Sequence, residues 1–295
     1  MAKKRMDVNW KREIGKDDLK PAVKRFKRYL EDKGLRVSTI PMCVSRVAKY
    51  LEFSGTDSPS ADDFARFRDH LHDRRLSRST INNYSFSIKK YHEMIGQEVK
   101  FTFMKPNNTI PYYFDESEIT KIFGICNNVK HLAMLKTKFY ASLRASELCN
   151  LDDSDVDLRT LTVYVRGGKG GKDGLVFITD DCAKTLRHYL EARPPLEINK
   201  RKPLFFTDFS GRWERRSVYR MFMHYKKLAG IEKHGGVHVF ARHSMGSLLV
   251  KRGCDLLAIK EIMRHSDVQT TMRYPHTSEA SKREKYEHYL GAGCV

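Results

Sequence analysis

Four apolar stripes at helical spacing fill the first hundred positions and leave little room for anything but helices. In DDLKPAVKRFKRYLEDKG, Leu19, Val23, Phe26 and Leu30 recur at the period of one helix face, and Gly34 supplies a stop. STIPMCVSRVAKYLEFSG repeats the pattern with Ile40, Val44, Val47 and Leu51 and ends at Gly55. SADDFARFRDHL opens on a capping residue, Ser60, and carries Phe64, Phe67 and Leu71. STINNYSFSIKKYHEMIG places Ile81, Tyr84, Ile88, Tyr91 and Ile95 in one stripe. The second and fourth segments match at an offset of 41, with Leu35, Ser38-Thr39-Ile40 and Lys49-Tyr50 against Leu76, Ser79-Thr80-Ile81 and Lys90-Tyr91. Two copies are too few for a solenoid. They predict a pair of helical hairpins packed as a four-helix unit over residues 1–100.

QEVKFTFMKPNNTIPYY has no helical period, two prolines and an Asn-Asn pair, and reads as an extended linker over 101–113. A second unit, 114–278, begins at DESEITKIF, where Asp115 and Glu118 form a capping box. A long helix is expected around KHLAMLKTKFYASL. Next, LTVYVRGGKGGKDGLVFI sets two strand-like runs around a glycine-rich turn, hence a β-hairpin. Further helices are predicted over 180–193, 214–229, 240–252 and 255–264. The expected fold is mainly α, a four-helix unit followed by a mostly helical one with one small antiparallel β-sheet. Residues 279–295 form a tail.

Lys and Arg number 55 against 36 Asp and Glu, a formal charge of +19. Such an excess favours a polyanionic partner, most often nucleic acid, although a ribosomal or membrane-surface protein would share it. The six cysteines sit far apart with no C-x-x-C pair, which argues against a zinc ribbon or a disulfide framework. The opening MAKKRMDVNWKREIGK lacks a signal peptide's apolar core, and no apolar run is long enough to span a bilayer. A cytoplasmic protein without membrane partners is expected.

Residues 238–278, HVFARHSMGSLLVKRGCDLLAIKEIMRHSDVQTTMRYPHTS, gather four histidines, four arginines and a single tyrosine. Breaking a phosphodiester with a tyrosine would call for such a set. A phenol is only about 0.1% ionised at neutral pH, so it must lose its proton as it attacks. Guanidiniums suit the charged non-bridging oxygens of the phosphorane because they bind in a bidentate way and stay protonated. The departing 5′-oxygen needs a cationic acid. YASLRASELCNLD offers Arg144 and Glu147, GGKGGK offers Lys169, HVFARHS offers Arg242, and RHSDVQTTMRY sets His265 nine residues before Tyr274.

These strings, in this order, strongly resemble the tyrosine recombinase (phage integrase) family, and the resemblance covers nearly the whole chain. It implies a DNA breaking-rejoining fold, with 1–100 as a helical core-binding domain and 114–278 as the catalytic domain. By the same resemblance, Arg144 and Arg242 hold the scissile phosphate, Lys169 (or Lys172) protonates the 5′-oxygen, and His265 contacts the phosphate or assists the tyrosine. Tyr274 is the nucleophile, forming a 3′-phosphotyrosine. Glu147 reads as a buried structural carboxylate. The family string is His-x-x-Arg, but here His238 stands four residues before Arg242, with Val239 at the expected place. Along an α-helix one extra residue rotates a side chain by about 100°. Either a loop or bulge absorbs it and His238 serves as the second histidine, or His238 is displaced and activity is weak or absent.

DNA contacts are expected from Arg78, Asn82, Lys89 and Lys90 on the fourth helix, Lys172 in the hairpin, and Arg215, Arg216 and Arg220 in RWERRSVYRMFMHYKKLAG. The methionine and aromatic stripe of that last segment reads as core. No metal or other cofactor is expected, since His234, His238, His243 and His265 match no usual zinc spacing. The implied partners are double-stranded DNA and further copies of the chain, a tetramer on DNA and a monomer or dimer free. Integration, excision and resolution all fit the implied activity, and a type IB topoisomerase or an inactive DNA-binding relative remain alternatives.

Overall fold

The computed structural model describes residues 20–105, 112–167, 173–265 and 286–287. Contacts divide the chain into two units, Met1–Asn108 and Thr109–Val295.

The first unit holds α1 (Pro21–Asp32), α2 (Ile40–Ser54), α3 (Ala61–Asp73) and α4 (Arg78–Met94). The stripes read from the sequence are its core: Val23, Phe26, Val47, Leu51, Phe64, Ile81 and Ile88 are all buried. Both hairpin copies therefore face inward, and α2 packs on α4. Ser60 caps α3, accepting from Asp63 N–H at 3.2 Å while its own N–H donates to the Asp63 carboxylate at 2.8 Å. Such a cap contributes about 1 kcal/mol. Gly34 and Gly55 take left-handed turns at φ of 68° and 70°, which ends α1 and α2 where a Cβ would be strained. The core is not purely apolar, since the buried Tyr50 hydroxyl lies 3.0 Å from His92 Nε2. Asn82 is half-buried and bonds Met104 through both amide atoms, at 2.8 and 3.0 Å. It pins the extended segment that follows α4.

The second unit contains α5 (Glu116–Ile125), α6 (Val129–Tyr140) and α7 (Ala145–Asn150), then strands β1 (Val156–Asp157), β2 (Thr162–Val165) and β3 (Gly174–Phe177). After them come α8 (Asp180–Ala192), α9 (Arg215–Leu228), a π-helical turn at Val239–His243, α10 (Ser244–Lys251) and α11 (Leu256–Ile262). The sheet order is β1-β2-β3, antiparallel throughout, and Val163 pairs with Val176 and Val165 with Gly174. Alternation decides its faces. Val163, Val165 and Val176 turn inward, while Tyr164, Leu175 and Phe177 are exposed.

Phe240 is fully buried at the centre of this unit's aromatic core, 4.9 Å from Phe222 and 5.3 Å from Phe139 between ring centroids. Val218, Met221, Phe222 and Tyr225 of α9 are also core, as the stripe implied, and Arg215, Arg216 and Arg220 are exposed. Lys226 of the same helix is buried, because it falls on the apolar side. Among the described residues, no helix is long and apolar enough to cross a membrane.

Candidate active site

Two helix ends of the same construction meet at one buried guanidinium. At the end of α6, Ser142 N–H donates to Phe139 O and Leu143 N–H to Lys138 O, both at 3.0 Å. At the end of α11, Arg264 N–H donates to Glu261 O and His265 N–H to Lys260 O, both at 2.9 Å. Each is a Schellman stop, which needs one left-handed residue and normally uses glycine there. Here the left-handed residues are Ser142 (φ 48°) and Arg264 (φ 51°). A Cβ in that region costs roughly 1–2 kcal/mol, and such strain concentrates at functional sites.

Arg242 ties the two stops together. Its guanidinium donates to Ser142 O at 2.5 Å and to Met263 O at 2.8 Å, and the residue is buried. The chain leaves the first stop directly into Arg144, at the N-cap of α7, and the second stop ends on His265, also buried. Arg144 is half-buried with a quarter of its side chain still open. Its Nη1 donates to Glu147 Oε1 at 2.8 Å, its main-chain N–H donates to Glu147 Oε2 at 2.7 Å, and Arg264 Nη2 reaches that same Oε2 at 2.8 Å. Burial alone would raise the Glu147 pKa, but the Arg144 N–H and the charges of Arg264 and Arg144 outweigh it and hold the carboxyl below its usual range. Glu147 is thus an ionised brace with three donors, the structural role read from the sequence.

The one-residue excess before Arg242 has a physical home. Val239–His243 forms a π turn, whose i→i+5 bonds widen the helix by one residue. Val239 O accepts from Ser244 N–H, and from Ser244 Oγ at 3.1 Å. Ser244 Oγ in turn accepts from Phe114 N–H at 2.8 Å. The segment expected as an ordinary helix over 240–252 therefore starts in a wider turn that advances less per residue than an α-helix. His238 stands at the N-cap of this turn, near enough to feel the charges of Arg242 and Arg144. Dehydration first, then the nearby His243, Lys138, Arg242 and Arg144, push the His238 pKa down to about 4. The His238 side chain is exposed, so the neighbouring cations His243, Lys138, Arg242 and Arg144 are the firmer reason for its lowered pKa.

Three of the six catalytic candidates, Arg144, Arg242 and His265, are thus joined through the two turns, and a fourth, His238, lies near enough to feel the charges of both arginines. Lys169 and Tyr274 lie outside the described residues, as do Lys172 and all of the tail except 286–287. The base of the hairpin that carries Lys169 is described. Asp173 accepts from Gly167 N–H and from the Tyr164 hydroxyl, each at 2.7 Å, which draws the two strands together below the turn. Of the expected DNA contacts, Arg78, Lys89, Arg215, Arg216 and Arg220 are exposed. Lys90 pairs with Glu93 at 2.7 Å, and the amide of Asn82 is occupied by Met104. Sequence reasoning passed over Arg264 and Lys138. The first adjoins His265 but stands where a turn would be expected to want glycine, and the second sits in an otherwise apolar helix pattern. Among the described residues no cluster of His, Cys, Asp and Glu could hold a metal ion.

The fold and this cluster define a class: a mostly helical domain with one small antiparallel sheet, in which the buried Arg242 joins the turns that lead to Arg144 and His265. The model of the Phage integrase family matches residues 112–281, and the chain belongs to that family. Relatives of similar length include the tyrosine recombinase XerA of Thermococcus kodakarensis, 30% identical over 275 residues (90% of this chain, 94% of the relative). The tyrosine recombinase XerD of Oceanobacillus iheyensis is 27% identical over 294 residues, covering 92% of this chain and 98% of that one. Among solved structures, a XerA recombinase aligns with a TM-score of 0.54 at 27% identity, over 92% of this chain and 99% of the other. The Tn1549 transposon integrase in complex with transposon right end DNA aligns at 0.72 with 18% identity, over 91% and 99%, a likeness of fold.

Proposed function

We propose that this chain is a site-specific DNA recombinase that cuts and rejoins double-stranded DNA through a 3′-phosphotyrosine. One observation carries the reading: the buried Arg242 guanidinium bridges the two strained turns from which Arg144 and His265 emerge. The preference for DNA is supported by the formal charge of +19 and by the exposed Arg215, Arg216 and Arg220 on one helix. Relatives of the same fold are described bound to DNA, among them a XerH recombinase on its difH substrate and a lambda integrase dimer on a core site.

In the proposed reaction Arg144 and Arg242 cradle the non-bridging oxygens of the scissile phosphate, and His265 and the neutral His238 add hydrogen bonds. The Tyr274 oxygen bonds to phosphorus as the bond to the 5′-oxygen breaks. His265 accepts the phenol proton, and Lys169 delivers a proton to the departing 5′-oxygen, which leaves as a hydroxyl. The tyrosyl ester conserves the bond energy, so a 5′-hydroxyl from a second strand reverses the step without a metal or nucleotide. Residues 1–100 serve as a core-binding domain on the duplex. Four copies assemble on two duplexes, linked by the tail from Glu279 to Val295.

Covalent capture on a nicked suicide duplex tests the reading. Wild type is expected to form an adduct that Tyr274→Phe cannot form, although the variant still binds DNA. DNA binding without any adduct would sink it in favour of an inactive relative. Relaxation of supercoiled DNA without strand exchange would favour a topoisomerase.

A further inference from the structure

Beneath the two arginines lies another cation, one that the proposed reaction does not use. Lys138 is fully buried in the last turns of α6. Its ammonium donates to Leu143 O at 2.5 Å, and the Leu143 N–H donates back to Lys138 O at 3.0 Å. Arg242 grips the preceding carbonyl, Ser142 O. Two cations therefore hold consecutive carbonyls of one turn, and the next residue is Arg144. This turn needs holding, because Ser142 is left-handed and its buried hydroxyl has no hydrogen-bond partner among the described residues.

We propose that Lys138 is a positioning residue: its ammonium locks the Ser142–Leu143 turn that aims Arg144, and a phosphate seated between Arg144 and Arg242 keeps that ammonium protonated. The inference rests on the recombinase reading above. The groups facing Lys138 are Arg242 from the π turn, Glu147 and Cys149 from α7, and Arg144 from the cap of α7, with His238 beyond them. Burial, then Arg242 and Arg144, lower its pKa to about 7, while Glu147 and Cys149 act in the opposite direction. A phosphate anion offsets the repulsion from the arginines, so its binding and the protonation of Lys138 reinforce each other. With the site empty, the amine loses its charge as pH rises through neutrality, and its bond to Leu143 O weakens because a charged donor makes the stronger bond. A lysine with only a packing role would not respond to phosphate.

The direct test follows the Lys138 side chain in wild-type protein by carbon-13 NMR, titrating pH with and without inorganic phosphate. Its midpoint is expected near neutrality and should move up with phosphate, a move that Arg144→Ala removes. A midpoint like that of free lysine, or one indifferent to phosphate, overturns the proposal. The second arm measures covalent capture on a 5′-bridging phosphorothiolate duplex, which needs no acid for its leaving group. Lys138→Met should slow capture roughly a hundredfold, as small displacements of a catalytic group do, with DNA binding unchanged and a lowered but still cooperative melting curve showing that it folds. Adding Ser142→Gly, which relieves the left-handed strain, should recover part of the loss. Capture by Lys138→Met at the wild-type rate overturns the proposal. A wild type that makes no adduct yet shows the phosphate-linked lysine signal fails the recombinase reading alone.

Discussion

Arg264 and Glu147 meet at 2.8 Å across 117 residues of sequence. The pair joins the turn before His265 to the helix that carries Arg144. Arg264 also holds a left-handed φ of 51°, so two opposing terms can be separated by mutation. Arg264→Ala keeps the backbone strain and loses the charged hydrogen bond, worth about 1.5–3 kcal/mol. Arg264→Gly loses the same bond but relieves roughly 1–2 kcal/mol of strain. The expected outcome is that Arg264→Gly unfolds at higher urea concentration than Arg264→Ala. Both should form the covalent adduct about ten to a hundred times more slowly than wild type, since in each the brace Glu147 loses its link to the turn before His265.

The hairpin reaches the same pair through Gly174. A Cβ placed there would lie 2.8 Å from Cδ of Arg264, closer than side-chain contacts allow. Only the absence of a side chain at this strand position lets Arg264 pass on to Glu147. Gly174→Ala is therefore expected to displace Arg264 and slow adduct formation to the level of Arg264→Ala. Combining the two changes should cost little more than either alone, as for residues acting through one contact. Additive losses in the double variant would refute this coupling.

Much of this architecture was legible in the sequence. The stripes through Phe26, Val47, Phe64 and Ile88 became the core of the first unit because helical periodicity reports burial directly. The capping box of Asp115 and Glu118 was also visible, and it forms with bonds of 2.8 and 3.0 Å. What the residue pattern could not reveal were features created by tertiary strain or by long-range pairing. Ser142 and Arg264 are left-handed without being glycines, so no turn signal marks them. Asn82 was expected to contact DNA from α4, yet its amide serves the backbone of Met104, a pairing that depends on where the chain returns after the helix. The excess residue before Arg242 was visible as a departure, but only the ring of Phe240 fixed in the core shows why it becomes a π turn.

Acid should weaken the fold through two groups acting in the same direction. Glu147 has a depressed folded pKa, so its stabilisation is present above the unfolded carboxyl value and is lost as pH falls through the folded one. His238, lowered to about 4, stays neutral when folded while the unfolded chain takes up a proton below about 6.5. Stability therefore declines as pH drops from the unfolded histidine value towards 4. Urea midpoints measured between neutral pH and pH 4.5 should fall, and His238→Gln should flatten the upper part of that fall. An unchanged slope in His238→Gln would place the titrating group elsewhere.

Removing Val239 puts the π turn itself to the test. The deletion leaves His238-Phe-Ala-Arg, the three-residue step that an α-helix accommodates on one face. Phe240 is buried and should anchor the register, so the missing residue must be taken from the widened turn rather than from the core. If the bulge only absorbs an excess residue, the deletion variant should fold and keep adduct formation within about tenfold of wild type, a change of roughly 1.4 kcal/mol. Inserting one alanine after Val239 should be far worse, because a turn already widened to i→i+5 cannot take another residue without rotating His238 by about 100° relative to Arg242. The comparison is read by covalent capture, with melting curves to verify folding. Equal loss in the deletion and insertion variants would mean that the π geometry is itself required for the chemistry.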